Sequence, residues 1–267
     1  MHGLGNDFVV IDAINQRVQL SPEQIKALGD RHYGVGFDQL LMVEPAQGDA
    51  DFRYTIYNAD GSEVSQCGNG ARCFALFVRQ KGLTDKSSIR VETGAGELVL
   101  LINEEQVTVD MGAPRLEPEL IPLQMEKRES TYSVDIEGQT VEFTAVSMGN
   151  PHAVIQVDDI DNAPVKITGA AMESHDIFPE RANIGFSQII NRSNLTLRVF
   201  ERGAGETLAC GSGACAAVVA GILNGLLDSP VNVELPGGFL TIEWYGEGQS
   251  VMMTGPAIFV FDGMIEL

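Results

Sequence analysis

Cys67-Gly68-Asn69-Gly70-Ala71 returns 143 residues later as Cys210-Gly211-Ser212-Gly213-Ala214. In both places a cysteine stands before a Gly-x-Gly turn that opens an apolar run. Moving outward, Gly5-Asn6-Asp7-Phe8-Val9-Val10 matches Gly149-Asn150-Pro151-His152-Ala153-Val154 at an offset of 144. Gly36-Phe37-Asp38-Gln39-Leu40-Leu41 matches Gly185-Phe186-Ser187-Gln188-Ile189-Ile190 at an offset of 149. Val91-Glu92 with Gly94 and Gly96 resembles Val233-Glu234 with Gly237 and Gly238, and Met111-Gly112-Ala113-Pro114 resembles Thr254-Gly255-Pro256-Ala257. One such match in a glycine-rich chain is weak. Five in the same order at a nearly constant offset argue for two homologous halves.

The expected division is residues 1–113 with 256–267 for the first half and 114–255 for the second, the tail after Gly255 running back onto the first. Alternating or β-branched runs at 52–57, 89–91, 98–102 and 106–111 predict strands in the first half. Runs at 195–200, 231–235, 239–244 and 251–253 do so in the second. The stretch 115–145 has no counterpart, and its alternation at 131–136 and 140–145 predicts added strands. One helix follows each Cys-Gly motif, over 71–81 and 214–226, and another is expected over 22–30 behind Ser21 as N-cap. The fold class is therefore α/β (α+β).

The 267 residues carry 37 acidic against 17 basic side chains, a net charge of −20 that argues against nucleic acid and anionic membrane surfaces as partners. Hydrophobic residues at 44% suit a folded core and exclude global disorder. No stretch approaches the roughly 20 apolar residues of a membrane span. The opening residues MHGLGNDFVVID lack the basic start of a signal peptide, so the four cysteines are expected to be reduced thiols in the cytoplasm.

A helix N-terminus offers unpaired N–H groups and partial positive charge, which favour a thiolate and can hold a ligand carboxylate. Cys67 and Cys210 are thus matched candidates for reactive thiols, and Gly68, Asn69, Gly211 and Ser212 for two anion cradles. Two acid/base groups on opposite sides of one carbon are what a stereoinversion needs. Cys73 and Cys215 lie inside the helices and read as small buried side chains. The cysteine spacings lack the CxxC pattern of a zinc site. A Cys67–Cys210 redox couple is the weaker alternative to acid/base chemistry.

At these motifs the chain resembles the diaminopimelate epimerases. MHGLGND (1–7), GxGFDQLL (34–41), NADGSE and CGNGARC (58–73), GNPH (149–152) and ERGAGETLACGSGA (201–214) carry the resemblance, which runs nearly end to end. It implies two pseudo-symmetric α/β domains, each with strands wrapped around a central helix, the active site between them, and a homodimer. It implies a two-base reaction without pyridoxal phosphate or metal, interconverting LL- and meso-diaminopimelate, with Cys67 as donor and Cys210 as acceptor in one direction. The substrate contacts it implies are Asn6, Gln39, Asn58, Gly68, Asn69, Asn150, Asn183, Glu201, Arg202, Gly211 and Ser212, with His152 and Glu201 tuning the thiols. Glu201 and Arg202 offer opposite charges to a substrate that is zwitterionic at both ends. Asn58 and Glu201 each stand nine residues before their cysteine, so they should occupy equivalent places. Family members carry a short strand before the MHGLGND motif, which here opens the sequence. A same-fold racemase or isomerase with another substrate, and a non-catalytic amino-acid binder, are the rival readings.

Overall fold

The computed structural model describes residues 1–65, 67–136 and 138–266. The chain forms two compact units, Met1–Asp110 with Thr254–Leu267, and Met111–Met253. In the first, β1 (His2–Gly3) pairs antiparallel with β2 (Asn6–Asp12), and β2 pairs parallel with β3 (Gln39–Glu44), Phe8 beside Gln39. β4 (Phe52–Asn58) is antiparallel to β3 with Gln39 opposite Asn58. It also takes β5 (Glu63–Val64) antiparallel and β6 (Ser88–Thr93) parallel. β7 (Gly96–Asn103) and β8 (Gln106–Asp110) continue as an antiparallel meander.

The second unit repeats these senses of pairing. An added hairpin joins β9 (Tyr132–Ile136) to β10 (Gln139–Ser147), and β10 is antiparallel to β11 (Pro151–Gln156). β11 is parallel to β12 (Asn183–Asn191), with His152 beside Asn183. β13 (Asn194–Glu201) is antiparallel to β12 and to β14 (Gly205–Thr207), and parallel to β15 (Val231–Leu235). β16 (Gly238–Glu243) returns antiparallel to β15, and β17 (Met252–Pro256) leads back into the first unit. There Thr254 Oγ1 meets Thr108 Oγ1 at 2.7 Å and Ile258 bridges His2.

This register corrects one sequence match. Phe8 and His152 are equivalent by the 144-residue repeat, and their parallel partners are Gln39 and Asn183. Gln39 therefore corresponds to Asn183. The match of Gly36–Leu41 with Gly185–Ile190 at an offset of 149 joins residues that are not structurally equivalent.

Of the helices, α1 (Pro22–Gly29) has a full capping box. Ser21 Oγ accepts the Gln24 N–H at 3.3 Å, and Gln24 Oε1 accepts the Ser21 N–H at 2.9 Å. α2 (Gly68–Gln80) and α4 (Gly211–Leu223) are buried on nearly every side, as a helix enclosed by sheet must be. Phe74 of α2 sits edge-on to Phe52 and Tyr54 of β4, a pair of contacts worth about 1 kcal/mol each beyond simple burial. Both helices end identically. Gly82 and Gly225 take the left-handed conformation (φ 67° and 71°). Their N–H groups and those of Leu83 and Leu226 satisfy the last carbonyls. α3 (Val165–Glu173) was not expected from the sequence; it has no Ser, Thr, Asp or Asn at its N-cap, which is Pro164.

Candidate active site

Each central helix starts directly after its cysteine, three residues before the expected Ala71 and Ala214. Cys67 (φ −147°, ψ 120°) and Cys210 (φ −119°, ψ 105°) are extended N-cap residues. Their carbonyls accept the Ala71 and Ala214 N–H groups at 2.8 and 3.0 Å. The glycines had suggested a turn, because glycine favours helix poorly. In a first turn that penalty is small, and close packing demands them. A Cβ on Gly70 would overlap the Tyr54 hydroxyl, and one on Gly213 would lie 3.1 Å from Cys210 Sγ.

In the first unit Asn6, at the start of β2, reaches the head of α2. Its Oδ1 accepts from Asn69 Nδ2 at 3.3 Å and from Cys67 Sγ at 3.8 Å. Tyr54 donates its hydroxyl to the Cys67 carbonyl at 3.2 Å, fixing the N-cap from the sheet side. Gln39 and Asn58, opposite one another in the register, are joined by Gln39 Nε2 donating to Asn58 Oδ1 at 3.0 Å. Asn58 Nδ2 in turn donates to Ser62 Oγ at 3.1 Å.

The second unit builds the equivalent place with different chemistry. Asn150 Nδ2 donates to Ser212 Oγ at 3.4 Å, and Ser212 Oγ lies 3.7 Å from Cys210 Sγ. His152, buried in β11, has Nε2 at 3.0 Å from Asn150 Oδ1. That oxygen only accepts, so Nε2 carries the proton. Burial, with the Arg202 charge adding to it, lowers the His152 pKa to about 3, so the ring is neutral. Glu201 closes β13 as Asn58 closes β4. It accepts from Thr207 and shares a hydrogen bond with Cys210. Burial raises the Glu201 carboxyl above its ordinary range. Asn183 donates to the Pro151 carbonyl at 3.2 Å and accepts the Arg202 N–H at 2.9 Å, while the exposed Arg202 guanidinium donates to the Glu180 carbonyl at 2.9 Å.

One expectation is overturned. The helix N-terminus was expected to favour the thiolate at both cysteines. At Cys210 burial pushes the thiol well above its ordinary value, with the Glu201 carboxylate adding to it, and both outweigh the Gly213 N–H and Ser212 hydroxyl. Cys210 rests as a neutral thiol. Cys73 is likewise pushed up, to about 12, by burial. None of the four cysteines is joined in a disulfide.

The structure adds Thr207, Arg72 and Arg31, which the sequence did not single out, and joins to them Asp7 and Asp38, which the sequence reads as turn and loop residues rather than catalysts. Thr207 and Arg72 lie inside quoted motifs, and an arginine amid the apolar residues of α2 was a visible signal. Asp38, Arg31 and Asp7 form an exposed cluster beside Asn6, with Arg31 clamping Asp7 through two 2.8 Å bonds and Asp38 through one. Among the described residues no three His, Cys, Asp or Glu side chains converge as a metal site requires. No described helix is long and apolar enough to cross a membrane.

The chain is similar to known proteins. The family model described as diaminopimelate epimerase matches residues 1–117 and 144–260. The diaminopimelate epimerase of Ectopseudomonas mendocina is 61% identical, covering 100% of this chain and 98% of the relative. That of Nitrosospira multiformis is 58% identical, with 100% and 97% covered. Among solved structures, a hydroxyproline epimerase from Agrobacterium vitis superposes with a TM-score of 0.68 at 15% identity, over 96% of this chain and 87% of that one, a likeness of fold. Both Cys-Gly motifs, Asn6 to Asn69 and Asn150 to Ser212, fall inside the matched residues, and the chain belongs to the diaminopimelate epimerase family.

Proposed function

We infer that this epimerase inverts one α-carbon of diaminopimelate, between the LL and meso forms, by a two-base exchange in which Cys67 and Cys210 act on opposite faces of that carbon. One thiolate takes the α-hydrogen as a proton, leaving the electron pair on carbon, delocalised into the adjacent carboxylate. The other thiol gives its proton to the opposite face, so thiol and thiolate exchange roles and no electrons leave the system. The first-turn N–H groups at Gly68, Asn69, Gly211 and Ser212 suit the carboxylate on which charge builds. Gln39, Asn58, Asn183, Glu201 and Arg202 supply the remaining polar contacts.

The observation that carries this reading is the cysteine N-cap repeated at the head of both buried helices. Glu201 supports a role for Cys210 as base. It is hydrogen-bonded to the thiol and its raised pKa makes it a better proton acceptor, so it can take the Cys210 proton when the thiolate is needed. Four cysteines outside any disulfide suit the cytoplasm, and a homodimer is what the family resemblance implies.

The test is replacement of each cysteine. Cys67→Ala and Cys210→Ala should each lower kcat/KM by at least about 100-fold while leaving the circular dichroism spectrum unchanged. Normal turnover by either variant would overturn the two-base assignment.

A further inference from the structure

The amides at the head of α2 form a chain of one direction. Arg72, fully buried, donates through Nη2 to Asn69 Oδ1 at 2.9 Å. Asn69 Nδ2 donates to Asn6 Oδ1 at 3.3 Å, and Asn6 Nδ2 donates to Asp38 Oδ2 at 3.0 Å. A guanidinium can only donate and a carboxylate can only accept, so neither amide can turn over without setting like against like. Asp38 is held in turn by Arg31 at 2.8 Å and by the Asp7 N–H at 3.1 Å. The chain therefore aims Asn6 Oδ1, and not its NH2 group, at Cys67 Sγ. An oxygen there accepts from a thiol and offers nothing to a thiolate.

The equivalent place in the second unit has the opposite polarity. Asn150 turns its oxygen to His152 and its NH2 group to Ser212, whose hydroxyl is then available to donate to Cys210. Position 8 is phenylalanine where position 152 is histidine, so the first unit lacks the ring that would turn Asn6 the same way.

We propose that Arg72 and Asp38 are positioning residues that lock the Asn6 amide oxygen onto Cys67 and so hold Cys67 as the protonated thiol, the proton-donating partner, in the resting enzyme. The assignment rests on the two-base reading and concerns the starting state of Cys67 alone; Cys210, a neutral thiol at rest, serves as the base only after Glu201 has taken its proton. The titratable and charged groups tied to Cys67 are Tyr54 on β4 and Cys73 on α2, with Arg72, which donates to the Gly68 carbonyl next to it, and the Asp7–Arg31–Asp38 cluster, which reaches it through Asn6.

The experiment is the pH dependence of iodoacetamide alkylation at Cys67, the only one of the four cysteines that is not buried, read by mass spectrometry of its peptide. Asn6→Ala should lower the apparent thiol pKa by about one pH unit, because it removes an acceptor for the S–H. Asp38→Ala should lower it too in the natural chain, but not further in the Asn6→Ala background. Asp7→Asn, which removes a charge from the same cluster while leaving Asp38 on Asn6, should leave it nearly unchanged. A rise in Asn6→Ala would mean the amide serves the thiolate and overturns the proposal. So would an equal effect of Asp38→Ala in both backgrounds, or of Asp7→Asn and Asp38→Ala, since either shows bare charge at work. Asp38 is about half exposed, and Asp38→Ser repeats the test should the alanine variant fold poorly. The readout is a thiol pKa rather than turnover, so this assignment can fail while the epimerase reading stands, and the reverse.

Discussion

His152 shows how burial sets chemistry at a single residue. Free histidine binds a proton near 6.5, whereas His152 in the folded chain does so only near 3. Between those values the unfolded chain binds more protons than the folded one, so stability rises with pH across that window. His152 therefore contributes stability that is fully present above pH 6.5 and is lost as pH falls towards 3. Over the first 1.5 units the loss should be about 2 kcal/mol. Urea unfolding at pH 6.5 and pH 5 should show that loss in the natural chain and a clearly smaller one in His152→Gln. Equal losses would mean the ring is not held neutral. The neutral ring also defines Asn150, since its Nε2–H fixes which end of the amide meets Ser212. None of this was visible in GNPH as letters: the sequence marked His152 for attention, and only burial in β11 decides that it acts as a neutral hydrogen-bond donor.

At the scale of elements, the strands around β4 and β13 were legible because their β-branched and aromatic residues alternate between turns. The central helices were legible in place but not in start. Glycines at 68, 70, 211 and 213 argue against helix by propensity, and the decisive reason for them is steric, arising from residues distant in the sequence. Gly70 faces Tyr54 of β4, with Leu41 and Phe8 a further 3.3 Å from where a Cβ would stand. Gly70→Ala should thus destabilise the first unit by about 1–3 kcal/mol in denaturant unfolding. Adding Tyr54→Phe should recover part of that loss by removing the oxygen in the way. An undiminished loss in the double variant would place the strain elsewhere. β2, β3, β11 and β12, which hold Asn6, Gln39, His152 and Asn183, were seen as repeated motifs and not as strands. Their near-continuous apolar runs, half-buried at Val9-Val10-Ile11 and buried at Ala153-Val154-Ile155, show no alternation for a sequence reading to catch.

For the whole molecule, the internal repeat carried most of the reading. A duplicated chain displays which features both halves keep, namely the cysteine N-cap, the amide reaching it and the glycine closing the helix, and which they vary. The variations are Phe8 for His152, Asn58 for Glu201 and Asn69 for Ser212, and they set an amide oxygen beside Cys67 and a carboxyl and a hydroxyl beside Cys210. Direction of hydrogen bonding was not legible in the sequence, because Asn6 and Asn150 are the same letter facing opposite ways. The most direct test of the account is proton NMR of the reduced protein with LL-diaminopimelate in heavy water, with no cofactor added. The two-thiol exchange predicts loss of the α-proton signal together with appearance of the meso form carrying deuterium at the inverted carbon. Substrate that binds and keeps its α-proton would contradict it and leave a binder in place of an enzyme.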